Sequence, residues 1–536
     1  MKNVFLLATT AVLLWTCASQ TTPDGGPKDE LPPVLLNSIP KNNGLNFRGK
    51  AILLEFSEPI KLNNPKEQII IVPNTGKKTV FKIVKNSLVI EPELPWLENT
   101  TYSIQLREGV QDITEGNAAR NVYIAFSTGD VIDSLSISGT VSEVFSEKAP
   151  EDMTVALYTS DTFDIQRHTP YYFAKADKNG RYKLQNLKAD TYFIYAFQDK
   201  NKNLKAETKT EKTGFLVEPI QLQKDTAKVN IQVVTVDARP LKVISIRKNG
   251  LVNQIRFNKM IDHYTLRGHT YFQSFGDNQS EVTVYFPDFF TDSTKVSITA
   301  VDSVHNKIDT TLWLATLNKD LEEPFKLTIN QATLTAETSS LEITGSYTKP
   351  IQHINFDSIY IRLDSTNRLP LPPAGLKLDS SYKRFTYRAT LPLADSTELD
   401  TKWQLVFAKG SLRSVSNDSL KAVTKALTFV DEESTGILNF DQILSREKSY
   451  LIQFLDSQGK IVRQFTSPTK LSVNYLPPES FKIRAVIDSN KNGKWDAGNI
   501  YQRRDHERTI YFKTTEGKFE TPVRANWEVG PFKFVF

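Results

Sequence analysis

Short runs alternating apolar with polar residues recur from about residue 33 to the end of the chain, and this period of two most limits the fold. Ile52-Leu53-Leu54-Glu55-Phe56-Ser57 is one such run. Successive side chains of a strand point to opposite faces, so Ile52, Leu54 and Phe56 share one face and Leu53, Glu55 and Ser57 the other. Gly and Pro punctuate the chain throughout (23 and 26 residues), Met occurs only three times, and helix-period runs are hard to find. The expectation is an all-β protein of tandem β-sandwich domains. At 536 residues the chain has room for roughly three to five domains that each bury a core.

Cys17 is the only cysteine. Disulfides within the chain, thiolate metal clusters and a second thiol for nucleophilic chemistry are thereby excluded. Lys2 is followed by the apolar run Val4-Phe5-Leu6-Leu7-Ala8-Thr9-Thr10-Ala11-Val12-Leu13-Leu14, too short for the roughly 20 residues of a spanning helix. It has the pattern of an export signal, expected over residues 1–16. Ala18 to Pro33, with Gly25-Gly26-Pro27 and Pro32-Pro33, is too polar and too rich in Gly and Pro to pack, so a flexible tether is expected over 17–33. Leu14-Trp15-Thr16-Cys17 resembles the lipobox of bacterial lipoproteins, which implies acylation of Cys17. Several acyl chains, at ~0.8 kcal/mol per buried methylene, would make a stable anchor.

Segment 34–130 carries Pro40-Lys41-Asn42-Asn43-Gly44, Phe56-Ser57-Glu58-Pro59-Ile60, Leu94-Pro95-Trp96-Leu97, Asp112-Ile113-Thr114-Glu115-Gly116-Asn117 and Phe126-Ser127-Thr128-Gly129 in that order. It resembles the bacterial Ig-like domain first defined in an S-layer protein, which implies a β-sandwich. Ile255-Arg256-Phe257-Asn258-Lys259-Met260-Ile261 echoes its Phe56 strand. Divergent Ig-like domains are accordingly expected over 239–320 and over 321–433, the latter opening near Leu341 to Ile351. Segment 131–238, with Leu135 to Val141, Asp177-Lys178-Asn179-Gly180 and Tyr192-Phe193-Ile194-Tyr195-Ala196, is similar to transthyretin-like or carboxypeptidase-regulatory-like sandwiches. Segment 434–536 repeats that plan with Tyr450 to Asp456, Leu471 to Leu476 and Phe481 to Val486.

One stretch has ligand-like spacing. Asp488-Ser489-Asn490-Lys491-Asn492-Gly493-Lys494-Trp495-Asp496-Ala497-Gly498-Asn499 places Asp488, Asn490, Asn492 and Asp496 at positions one, three, five and nine, with Lys494 at seven and Gly493 at six. Calcium loops use this spacing, with the backbone carbonyl at seven. A structural calcium is one reading. A turn in which Asp and Asn bond their own backbone is the other. Asp199-Lys200-Asn201-Lys202-Asn203-Leu204 follows the corresponding strand of the second domain, so the role is expected to be structural either way.

Enzyme chemistry finds little support. The six histidines, His168, His263, His269, His305, His353 and His506, lack metal spacing, and no Gly-x-Ser-x-Gly elbow occurs. Gly44-Leu45-Asn46-Phe47-Arg48-Gly49-Lys50 resembles a phosphate loop but is followed by Ala51 and a strand. Tyr285-Phe286-Pro287-Asp288-Phe289-Phe290 suits either sugar stacking or a core. A net charge of +5 is too weak and scattered for nucleic acid, and Lys200 to Lys212 and Arg503-Arg504 are expected on a solvated surface.

The ensemble resembles the Ig-like-domain lipoproteins common in Bacteroidota. That resemblance implies an envelope protein without catalytic residues. The expectation is a non-enzymatic scaffold held on the outer membrane by its lipid, on the periplasmic rather than the surface side, with another envelope protein as partner. Glycan or surface binding is the alternative, and a hydrolase with an unrecognised site a third.

Overall fold

The strand Ile52–Phe56 buries Ile52, Leu54 and Phe56 and leaves Glu55 exposed, as its alternation requires. A computed structural model describes residues 29–536 apart from 77, 121, 147–148, 161, 269–271, 291, 318–322, 336, 394–401 and 432. Cys17, the signal segment and most of the tether lie outside the described residues. Strands dominate what is described, and they are arranged as tandem β-sandwiches around separate hydrophobic cores.

In the first sandwich one sheet runs in the order Leu35–Ile39, Ile52–Phe56, Ser87–Glu91, Val80–Val84. It faces a sheet of Ile70–Val72, Thr101–Gln105 and Tyr123–Ser127. Between them Phe126 packs against Phe47, Trp96 and Tyr102. Each such side chain contributes about 1.5–3 kcal/mol by leaving water. Ile70 and Val72 turn the other way and join the core of the second sandwich.

The second and last sandwiches share one topology. In the second, Leu135–Glu143 pairs antiparallel with Arg181–Leu187 and parallel with Ile231–Val233. Opposite lie Tyr172–Lys175, Met153–Tyr158, Asp190–Gln198 and Thr213–Phe215, with Ile220–Leu222 also on Asp190–Gln198. In the last, Gly436–Leu444 pairs with Leu471–Leu476 and, parallel, with Glu528–Val535. Facing it are Ile461–Thr466, Tyr450–Leu455, Ser480–Ile487 and Thr509–Tyr511, with Glu520–Pro522 on Ser480–Ile487. The strand orders coincide element for element.

The middle sandwiches also echo the first at one charged position. Lys259 follows Phe257-Asn258 and meets Asp302 at 2.5 Å, both nearly inaccessible to water. Lys349 follows Tyr347-Thr348 and meets Asp418 at 2.7 Å. In the first sandwich Phe56-Ser57 leads instead to Glu58, which lies in the field of Asp112. Burial, then the charges of Asp112, Asp29 and Glu115, push the Glu58 carboxyl above its ordinary value.

The sandwiches do not form an open string. The third meets the fourth through the backbone bond from Phe275 to the Ser380 carbonyl (3.0 Å), the Lys383–Asp277 ion pair and the edge contact of Phe272 with Tyr382. The last folds back onto the second and third through the loop that follows strand Ser480–Ile487.

Candidate functional site

The loop that leaves strand Ser480–Ile487 begins at Asp488, which is buried. Its two carboxylate oxygens accept the backbone N–H groups of Asn492 and Gly493, each at 3.0 Å. The Asn490 side-chain oxygen accepts the same Asn492 N–H, and that of Asn492 accepts the N–H of Lys494, both at 3.0 Å. Gly493 sits at φ +77°, where a side chain would be strained. Their amide Nδ2 groups both donate to Asp496, that of Asn492 at 3.1 Å.

Calcium takes six to eight oxygens at about 2.3–2.6 Å. Both Asp488 oxygens are engaged by backbone donors, and Asn490 and Asn492 present N–H groups, not oxygens, to Asp496. Lys494 turns away to Asp262 of the third sandwich. Among the described residues no three or more His, Cys, Asp or Glu side chains gather in a way that could hold a metal. As arranged, these bonds make the loop a hydrogen-bonded turn.

Glu507 locks the loop base. One carboxylate oxygen accepts the Ser489 N–H and hydroxyl, both at 2.8 Å, and the other accepts the Asp496 N–H at 3.2 Å. The second sandwich repeats the device. Asp199 accepts from Asn203 and Leu204, Asn201 from Asn203, and Asn203 from Lys205. Glu211 accepts from Lys200 and Glu207, as Glu507 does from Ser489 and Asp496. Burial raises the Glu211 pKa, and the Glu207 and Lys200 N–H groups pull against it.

Beyond this turn the two copies diverge, and the last sandwich becomes a clasp. Asn499 is buried and donates to the Val304 carbonyl of the third sandwich at 2.7 Å across 195 residues of sequence. Gly498, at φ +67°, permits the bend, since a Cβ there would lie 2.4 Å from the Arg504 carbonyl oxygen. Arg503 spreads over the second sandwich. Its guanidinium donates to the carbonyls of Leu216 (2.6 Å) and Val217 (2.9 Å) and to the Tyr195 hydroxyl (3.0 Å), and lies over the Phe193 ring.

Further contacts bind the same three sandwiches. Trp495 meets Phe145 edge-on at 4.7 Å, and Arg484 lies over the other ring of that pair. Thr509 donates to the Val144 carbonyl across 365 residues. Arg504 donates to His305 Nδ1 at 2.9 Å. Ile500 enters an apolar cluster with Ala156, Tyr158, Tyr195, Phe197 and Ala238. Burial pushes the Asp262 carboxyl up, but bonds from Lys494 and His263 outweigh it and hold the pKa below its ordinary value.

The sequence reading is corrected at Arg503-Arg504. Expected on a solvated surface, both side chains are half-buried and bond across domains. A signal was present in the sequence: Val155-Ala156-Leu157-Tyr158 and Tyr192-Phe193-Ile194-Tyr195-Ala196-Phe197 are apolar without alternation, and their strands are buried on both faces. Strands that are apolar on both faces require cover on both faces. The stretch Lys200 to Lys212 is exposed at Lys200, Lys202 and Lys209, with Lys202 paired to Glu67 of the first sandwich, whereas Lys212 forms a half-buried pair with Glu143. Phe286 and Phe290 of the aromatic run pack on one another, with Phe286 in the core and Phe289 exposed. Gly44 to Lys50 lead into a strand, as expected.

Residues 29–128 match the family model of the bacterial Ig-like domain. No curated protein matches the chain. Similar solved structures include the S-layer protein rSbsC, at 10% identity over 92% of this chain and 68% of that one, with a TM-score of 0.15. A second is the mixed-linkage glucan utilization protein SGBP-B of Bacteroides ovatus in complex with a heptasaccharide, at 10% identity over 62% and 86%, with a TM-score of 0.17. A third is dimeric latent PorU from Porphyromonas gingivalis, at 8% identity over 53% and 35%, with a TM-score of 0.20.

Proposed function

We propose that this chain is a lipid-anchored, non-enzymatic scaffold of the bacterial envelope, with Cys17 as the anchored residue and a protein of an outer-membrane complex as its partner. The clasp of the last sandwich on the second and third carries this reading. It fixes three domains relative to one another, which suits a part that holds other proteins at set positions. The buried carboxylates point the same way: Asp112, Asp199, Glu211, Asp302, Asp488 and Glu507 are each engaged by hydrogen bonds that hold turns together. A general acid or base needs a carboxyl free to exchange its proton with a substrate.

Purification of the lipidated chain from detergent-solubilised membranes tests the reading. Recovery with a stoichiometric outer-membrane barrel protein is expected. Recovery of the chain alone, retaining polysaccharide, would overturn it in favour of glycan binding.

A further inference from the structure

The strand Val80–Val84 ends a sheet: its one strand partner is Ser87–Glu91, and the register between them runs without a bulge. Among the described residues nothing pairs with its outer edge. Val80, Ile83 and Val84 are nonetheless exposed, at 42%, 37% and 56%. Open apolar edges invite another strand, and proteins usually blunt them. The opposite edge of the same sheet shows such protection, since Leu35–Ile39 is bulged and flanked by Pro33 and Pro40. Within Val80–Val84 the sole charge, Lys82, is drawn sideways to Glu91 at 2.8 Å.

The strand also borders a cleft. Thr79 and Phe81 line one wall of a cavity of about 1480 Å³, and Pro150, Met153, Thr169 and Phe173 of the second sandwich line the other. The cleft thus meets the strand at its Thr79–Phe81 end. Lipid does not fit such an edge, because hydrocarbon cannot satisfy outward backbone N–H and C=O groups. A second copy of the strand does not fit either, because antiparallel self-pairing centred on Lys82 would set two ammonium groups opposite one another. Lys82 is paired with Glu91, and Glu93 accepts the Lys78 backbone N–H, so it is the exposed Lys78 and Lys85 side chains that make the two ends of the strand basic. The facing wall carries both signs and does not set the preference.

We propose that Val80–Val84 is a strand-addition site for an extended segment of another protein, with alternating apolar residues and acidic flanks. This rests on the scaffold reading and names the surface such a scaffold would use.

The test uses the full chain in detergent and a labelled peptide of alternating valine and threonine with two glutamates at each end. Fluorescence anisotropy is expected to show this peptide binding about tenfold more tightly than its lysine-ended counterpart, with the difference shrinking at high salt. Hydrogen exchange of the 80–84 amides should slow in the complex. The double variant Lys78→Glu, Lys85→Glu, altered only at exposed side chains, should reverse the charge preference. Equal binding of a proline-interrupted peptide, or absence of protection at 80–84, overturns the proposal. So does protection of those amides by phosphatidylglycerol vesicles and not by peptide. Failure of the peptide would leave co-purification with a barrel protein unaffected, so the two readings fall separately.

Discussion

The guanidinium of Arg503 lies 4.8 Å above the ring of Phe193, joining the last sandwich to the second. The same guanidinium caps the Leu216 and Val217 carbonyls at the end of strand Thr213–Phe215. One side chain thus covers both an aromatic face and a set of backbone acceptors.

Replacing Arg503 with alanine removes charge-assisted bonds worth about 1.5–3 kcal/mol each, although they are not additive. Arg503→Ala is expected to lower the stability of the clasped body by about 2 kcal/mol in denaturant unfolding. It should also enlarge the radius of gyration measured by X-ray scattering. Arg503→Lys should recover only part of the loss, because an ammonium lacks the planar fork. Unchanged unfolding and size for Arg503→Ala would remove the clasp from the account.

Glu58 stands where two other sandwiches carry Lys259 and Lys349 against an aspartate. Glu58→Lys should set an ammonium beside Asp112 and stabilise the first sandwich by about 0.5–1 kcal/mol at neutral pH. The raised carboxyl of the native residue also fixes a sign. Above its ordinary value of 4.5 the folded state holds the proton more tightly than the unfolded state. Stability from this group therefore falls as pH rises from about 4.5 through the folded pKa. Glu58→Gln should flatten that slope in pH-dependent thermal unfolding, and an unaltered slope would assign it elsewhere.

The turn at Asp488 is expected to hold without a cation. Adding calcium or a chelator should leave the melting temperature unchanged, whereas Asp488→Ala should lower stability by about 2 kcal/mol by freeing two backbone N–H groups. A calcium-dependent rise in melting temperature that Asp488→Ala abolishes would restore the cation reading.

Cys17→Ser should move the protein from the membrane to the soluble fraction of fractionated cells. Mass spectrometry of the native chain should find acyl groups on the first tryptic peptide. A Cys17→Ser variant that still sediments with membranes would show that something other than lipid holds it.

Much of the fold was legible because a period of two is a local property. Ile52, Leu54 and Phe56 announced their burial, and the Asp-x-Asn-x-Asn stretches after Phe197 and Ile487 announced a repeated turn. The clasp was not legible in the same way. Asn499 meets Val304, and Thr509 meets Val144, across 195 and 365 residues. No periodicity reports pairings at that distance. Arg503 carries the same charge whether it faces water or a carbonyl, so composition alone placed it on the surface. Only the run Val155-Ala156-Leu157-Tyr158, apolar without alternation, hinted that something covers that sheet.

The apolar cluster of Tyr158, Tyr195, Phe197 and Ile500 also has a consequence in time. The first three are made early, and Ile500, which packs with them, follows about 300 residues later. At about 5–20 residues per second, ribosomes would leave that aromatic patch waiting for roughly 15–60 seconds. A nascent or prematurely ended chain would expose a sticky surface throughout that interval.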